Sequence, residues 1–273
     1  MGYPAAMTPP ESSSSPHEAP APEGQIFGER YRVVGVAGHG GQATVYEAID
    51  ERTGRRVALK VLLRKHAVDD VVVRRFEREA LAANALDNDF TVAITDHGID
   101  AATGQPFLVM PYLQGQPLSV VIAQTGGLEV ARAARLLGDV ARAALSFELA
   151  GVVHRDLKPH NVLVYRAVGG RERAKVTDFG IAKLFEPEPD TAPLTETGHT
   201  HGTPPYMAPE QLMAEPLDHR TDLYALGAVL FEALRGERAF RGGTAAQVWA
   251  AQVEGPAPDP GERTPSGEAI PAA

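Results

Sequence analysis

Residues 154–161 read His154-Arg155-Asp156-Leu157-Lys158-Pro159-His160-Asn161, and the fold is decided by how this octet is read. A carboxylate, an ammonium group and an amide can be presented to one point by a loop only at short, fixed spacing. Taken alone, the octet would pass for a charged surface turn. Its flanks argue otherwise. Before it lies an Ala-rich stretch, Glu129 to Ala150, with Val130, Ala134, Leu137, Ala141 and Leu145 at helical spacing. After it comes the short apolar run Val162 to Tyr165, which reads as a strand.

Working outward toward the N-terminus, Arg32 to Val36, Thr44 to Ile49 and Arg56 to Leu62 are Val-, Ile- and Tyr-rich runs separated by Gly and charged residues, the pattern of an antiparallel meander. Val72 to Asn84 reads as a helix, with Phe76, Ala80 and Ala83 on one face. Val92 to Ile99 and Phe107 to Met110 read as two further strands. Toward the C-terminus, Thr221 to Leu234 is a strongly apolar helix. Thr244 to Glu254 is another, with Thr244 as its N-cap and Gly255 as its stop. Residues 1–25 are rich in Pro, Ser, Ala and Glu and read as a disordered tail, with order beginning near Ile26. Residues 256–273 form a Pro/Gly-rich C-terminal segment.

The 273 residues, 44% of them hydrophobic, suffice for one large domain or two lobes. A net charge of −9 argues against general nucleic-acid binding. It does not exclude a nucleotide, whose site needs only a few local groups. With no cysteine, disulfides and Cys-based zinc sites are excluded. No apolar run reaches the length of a spanning helix, and no basic-then-apolar leader opens the chain. A cytoplasmic protein is the expectation.

Four further motifs lie in a fixed order around the octet. Gly38-His39-Gly40-Gly41-Gln42-Ala43-Thr44-Val45 sits between two strands, where glycines let backbone N–H groups approach phosphate oxygens; alone it would read as a flexible hairpin. Lys60 ends the run Val57-Ala58-Leu59-Lys60. Asp178-Phe179-Gly180 follows a strand, Ala174 to Thr177. Ala208-Pro209-Glu210 closes a Thr-rich stretch.

Together these residues resemble the serine/threonine protein kinases of the eukaryotic-like type found in bacteria. The glycine loop matches G-x-G-x-x-G-x-V at Gly38, Gly40 and Val45, with Ala43 where the third glycine usually stands. The resemblance covers about Tyr31 to Glu254. It implies an α+β, two-lobed protein-kinase-like fold: a kinase domain over 26–255, with a β-rich N-lobe (26–113) and a helical C-lobe (114–255).

What the resemblance implies for the site is specific. Asp156 accepts the proton of the substrate hydroxyl, and Lys158 neutralises the γ-phosphate. The pair Lys158-Pro159 marks the Ser/Thr class. Asn161 and Asp178 hold Mg²⁺, with Mn²⁺ the alternative. Lys60 neutralises the α- and β-phosphates of ATP and is oriented by Glu79, with Glu77 as the competing candidate. Val36, Gly38, Gly40, Val45, Ala58, Lys60, Met110, Leu113 and Leu163 line the nucleotide site. Met110 occupies the gatekeeper position, while Pro111 and Leu113 offer backbone groups to the base. Thr195 and Thr197 are candidate phosphorylation sites, whose phosphates would pair with Arg155. Thr203 contacts Asp156 and Lys158. Asp222 braces the catalytic-loop backbone. Protein substrates and self-association for trans-autophosphorylation follow as partners.

The chain departs from the family after Gly255, where further helices and an arginine partner for Glu210 are expected and Pro/Gly-rich sequence stands instead. A truncated C-lobe and an unpaired Glu210 are the expectations this raises. A scaffold that binds partners without turnover is the competing reading, although Lys60, Asp156, Asn161 and Asp178 are all retained.

Overall fold

The computed structural model describes residues 21–67, 73, 88–178 and 204–271. The expected helix Val72 to Asn84, with Glu77 and Glu79, lies outside the described residues apart from Val73. So do Phe179, Gly180, Thr195, Thr197 and Thr203.

Six antiparallel strands form the first sheet, in the order β1-β2-β3-β4-β6-β5. They are β1 (Ile26–Phe27), β2 (Tyr31–His39), β3 (Ala43–Asp50), β4 (Arg56–Leu62), β5 (Asp96–Ile99) and β6 (Pro106–Pro111). Two of its hairpins use the same five-residue turn, Asp50-Glu51-Arg52-Thr53-Gly54 and Asp100-Ala101-Ala102-Thr103-Gly104. In each, the threonine hydroxyl donates to the aspartate carboxylate at 2.7 Å. The glycine that closes each turn has positive φ, 68° and 70°, which glycine adopts without steric cost. Asp50 and Asp100 are both buried.

Side chains alternate across these strands. Tyr46, Ala48, Leu59, Val61, Phe107 and Val109 pack on Phe27, Tyr31 and Val33 to make an outer core. Ala43, Leu62 and Leu108 join the main core, which is shared with the helices. The register pairs Val45 with Lys60, Lys60 with Leu108 and Ala58 with Met110. Val45, Ala58, Lys60 and Met110 therefore share the face turned away from the outer core.

A short helix α1 (Arg64–Ala67) follows β4. Beyond the first sheet come β7 (Gly115–Pro117), α2 (Leu118–Thr125) and α3 (Val130–Leu149). The strands β8 (Val162–Arg166) and β9 (Glu172–Val176) complete a second, three-stranded sheet with β7. The short α4 (Pro209–Leu212), then α5 (His219–Arg235) and α6 (Ala245–Glu254), finish the helical part. Leu136, Leu137, Val140, Ala143, Ala144 and Phe147 of α3 meet Ala225, Ala228, Val229 and Ala233 of α5 in the main core. Thr244 caps α6 as expected, its hydroxyl accepting from Gln247 N at 3.2 Å, and Gly255 stands at its C-terminal end. Among the described residues no helix is long and apolar enough to cross a membrane.

Several sequence expectations are corrected. The strand expected over Val92 to Ile99 is shorter. Val92 N bonds Val176 O while Thr95 N bonds Val109 O, so the chain crosses between two sheets before pairing from Asp96. Order begins before Ile26, because Ala21 N donates to the Tyr46 hydroxyl at 2.9 Å and Gly24 N to Val33 O at 2.9 Å. Helix α5 starts at His219, two residues earlier than expected, with Asp218 as its N-cap. The Pro/Gly-rich C-terminal segment packs against the helices. Its Thr264–Glu268 turn presents the Glu268 carboxylate to the backbone N–H of Val130 at 2.7 Å, capping α3, and Ile270 packs on the main core.

Candidate active site

The octet 154–161 leaves α3 and returns into β8 through a 3₁₀ turn, Pro159–Asn161. Its backbone is held from beneath by one carboxylate. Asp222, 2% exposed on α5, accepts from His154 N at 2.7 Å and Arg155 N at 2.9 Å. His154 is fully buried and stacks on Phe147 with ring centroids 5.6 Å apart. Its Nε2 lies 3.3 Å from Thr177 O, and its Nδ1 accepts from Asp156 N at 3.3 Å. Those contacts select the tautomer protonated at Nε2. Burial holds the imidazole below its ordinary pKa, against the opposing charges of Asp222 and Asp156.

With the backbone fixed, three side chains converge. Lys158 Nζ donates to Asp156 Oδ2 at 2.7 Å. Asn161 Nδ2 donates to Asp156 O at 2.8 Å and to Asp156 Oδ2 at 3.1 Å. Because both amide hydrogens point inward, the Asn161 carbonyl oxygen remains as an acceptor. Thr177 N bonds Asn161 O at 2.8 Å, so the segment bearing Asp178 runs beside the octet.

Asp178 meets Lys60 across 118 residues of sequence, Nζ to Oδ1 at 2.8 Å. Burial raises its carboxyl pKa and the Lys60 ammonium lowers it. With 44% of the side chain exposed, the lysine prevails and the carboxyl sits below its ordinary value. Arg155 and Asp178 both adopt left-handed backbone, at φ 65° and 53°. Such conformations cost on the order of 1–3 kcal/mol each and persist only where surroundings enforce them. Here Asp222 enforces one and Lys60 pairs with the other.

The structure thus brings Lys60, Asp156, Lys158, Asn161 and Asp178 into two linked clusters. It sets Val45, Ala58 and Met110 on the Lys60 face of the first sheet. Val36 is exposed near the end of β2, and Leu113 is half-buried just past β6. Leu163 is half-buried on the face of β8 opposite the buried Val162 and Val164. Gly38 pairs with Val45, and Gly40 N closes the loop on Ala43 O at 2.9 Å.

Two partners escaped the sequence reading. Gln211 of α4 donates to Arg155 O at 2.8 Å while its own oxygen accepts from Ala208 N at 3.0 Å, tying α4 to the octet. Glu210, expected to lack its arginine ion pair, accepts a hydrogen bond from the Thr221 hydroxyl at 2.7 Å. The adjacency of Thr221 and Asp222 was the available signal: one turn of α5 serves both segments.

A family model for the protein kinase domain matches residues 31–258. The chain belongs to the protein kinase domain family. It is 36% identical over 249 residues to serine/threonine-protein kinase pkn3 of Myxococcus xanthus, covering 91% of this chain and 45% of that protein. It is 37% identical over 238 residues to serine/threonine-protein kinase PknA of Mycobacterium tuberculosis, covering 86% of this chain and 53% of that one. The chain therefore spans about half the length of these curated relatives. Among solved structures, the Mycobacterium tuberculosis PknI kinase domain superposes with a TM-score of 0.64 at 25% identity, over 86% of each chain. The kinase fold accounts for the two-part architecture and for the short octet lying between the long helix α3 and a small sheet.

Proposed function

We propose that this kinase domain is an ATP-dependent protein serine/threonine kinase, cytoplasmic and acting in signal transduction. The observation that carries the proposal is the convergence on Asp156. An ammonium and an amide both bond one carboxylate, and the two residues before it are fixed through their backbone N–H groups by Asp222. A hydroxyl brought to Asp156 would find an acceptor for its proton, with Lys158 beside it to offset negative charge moving onto the transferred phosphoryl group.

Lys60 and Asp178 supply the other half. The Lys60 ammonium group is proposed to neutralise the α- and β-phosphates, with Glu79 proposed as its second carboxylate partner. Gly38 supports a nucleotide on this side: a Cβ added there would meet nothing within 4 Å among the described residues, so their packing does not demand the glycine. Val36, Gly40, Val45, Ala58, Met110, Leu113 and Leu163 complete the proposed nucleotide site.

Oxygen donors from Asp178 and Asn161 suit Mg²⁺, or Mn²⁺, which keeps several waters and binds through few protein ligands. When bound, the ion neutralises phosphate charge. Phosphorylation of Thr195 or Thr197, in trans between two copies, is proposed to raise activity by pairing with Arg155.

The test is incubation with Mg²⁺ and ATP, followed by phosphosite mapping and a rate assay on a threonine peptide. Phosphate on Thr195 or Thr197, and a slower Thr195→Ala/Thr197→Ala variant, are expected. A folded parent that binds ATP yet transfers nothing would contradict the proposed activity. Equal rates for parent and double variant would contradict the regulation.

A further inference from the structure

Arg155 immediately precedes Asp156 and holds left-handed backbone at φ 65°. A residue other than glycine keeps that conformation only where its neighbours fix it. Asp222 fixes one side by accepting the Arg155 N–H at 2.9 Å. The other side is fixed from α4, where Gln211 Nε2 donates to Arg155 O at 2.8 Å across 56 residues of sequence.

The peptide unit that joins Arg155 to Asp156 is thereby gripped at both ends. Gln211 holds its carbonyl oxygen, and His154 Nδ1 accepts its N–H at 3.3 Å. The unit is planar and carries the Asp156 Cα, so turning it swings the carboxylate away from Lys158 and Asn161.

Gln211 is itself oriented. Its oxygen accepts from Ala208 N at 3.0 Å, and an amide whose acceptor end is committed there presents its donor end to Arg155 O. A glutamate at this position would keep the Ala208 bond and set an oxygen against the Arg155 oxygen. Next to Gln211, Glu210 accepts from the hydroxyl of Thr221, which is 1% exposed and precedes Asp222. Two neighbours on α4 therefore meet two neighbours on α5, and one member of each pair grips Arg155. Further up the same segment, the buried Gln252 of α6 donates through Nε2 to Pro204 O at 2.8 Å and Met207 O at 3.1 Å. The segment 204–212 is anchored before it reaches the octet.

We propose that Gln211 is a positioning residue for phosphoryl transfer, an assignment that rests on the kinase reading above. Through Arg155 O it fixes the peptide unit that aims Asp156. It acts on the backbone and not on the reacting groups. The amide makes the placement of Asp156 depend on order in segment 204–212.

The experiment compares the parent with Gln211→Glu and Gln211→Met. It measures kcat and KM for ATP and a threonine peptide, the thermal midpoint, and deuterium exchange in the octet. Gln211→Glu keeps an acceptor for Ala208 N and loses the donor to Arg155 O. Its kcat is expected to fall about tenfold, the scale of one hydrogen bond lost where geometry must be held closely. KM for ATP and the midpoint are expected to stay at the parent's values, and exchange to quicken in the octet but not in the first sheet. Gln211→Met loses both bonds and is expected to match that fall in kcat while also lowering the midpoint. A Gln211→Glu protein that keeps the parent's kcat would overturn the proposal and leave the kinase reading standing. A parent that transfers no phosphate would sink the kinase reading. Exchange then decides the grip on Arg155: faster exchange in Gln211→Glu sustains it, and unchanged exchange rejects it.

Discussion

Asp222 and Asp50 are both buried aspartates that hold a turn of the main chain, yet they are built in opposite ways. Asp222 faces two backbone N–H groups of the octet 154–161. Asp50 accepts one backbone N–H, from Arg52, and one hydroxyl, from Thr53. It also takes a two-pronged contact from Arg30 at 2.7 Å on each prong. Arg30 reaches further to Asp96, which Tyr31 also contacts. The first aspartate serves the geometry of a site; the second serves the cohesion of a sheet. Removing the first orphans the His154 and Arg155 N–H groups of the octet. Removing the second frees a guanidinium that water can reach.

The sharpest way to break this comparison is Asp222→Ala. Each buried N–H left without a partner costs roughly 1–3 kcal/mol, so a loss of about 3 kcal/mol or more in chemical denaturation is expected. Phosphoryl transfer should fall at least a hundredfold even where the variant is still folded. A variant that kept its rate would show that the octet holds its shape without Asp222.

A smaller effect is expected from pH. Burial lowers the His154 pKa, so the folded state keeps the ring neutral while the unfolded chain takes up a proton. Stability is therefore fully present above the ordinary histidine value of about 6.5 and is lost as pH falls below it, toward the lowered folded value. The thermal midpoint should drop between pH 7.5 and 5.5, and drop less in His154→Gln. Equal drops would place the titrating group elsewhere.

The smallest effect is expected on the sheet side. The Arg30 guanidinium, with Thr53 and Arg52, holds the Asp50 carboxyl well below the usual range against burial. Asp50 thus contributes stability above the ordinary carboxylate value, and that contribution is lost as pH falls below it. Asp50→Asn should lower the thermal midpoint by a few degrees at pH 7 without a change in kcat, and the gap to the parent should narrow in acid. A change in kcat would mean that the two regions are coupled.

The same contrast explains what the sequence could disclose. The octet, Lys60 and Asp178 were legible because phosphoryl-transfer chemistry restricts residue type and spacing together. The strands around them were legible from alternation, and α3, α5 and α6 from helical periodicity. Asp50 and Asp100 were not, because D-x-x-T-G reads as an ordinary turn and Arg30 stands twenty residues away. Gln211 escaped because a glutamine after Ala208-Pro209-Glu210 carries no charge to suggest a partner. Glu268 escaped because a Pro/Gly-rich composition conceals the one carboxylate that finds a helix terminus. The Glu79 partner of Lys60 and the Thr195 and Thr197 positions rest on the sequence alone.

The central claim is that Asp156, held between Lys158 and Asn161, is the proton acceptor of a phosphoryl transfer. Single-turnover transfer of labelled γ-phosphate from ATP with Mg²⁺ to a threonine peptide tests it, run on the parent and on Asp156→Asn with nucleotide binding measured in both. The expected result is transfer by the parent and its loss in Asp156→Asn at unchanged nucleotide affinity. Transfer that persists in Asp156→Asn would contradict the claim.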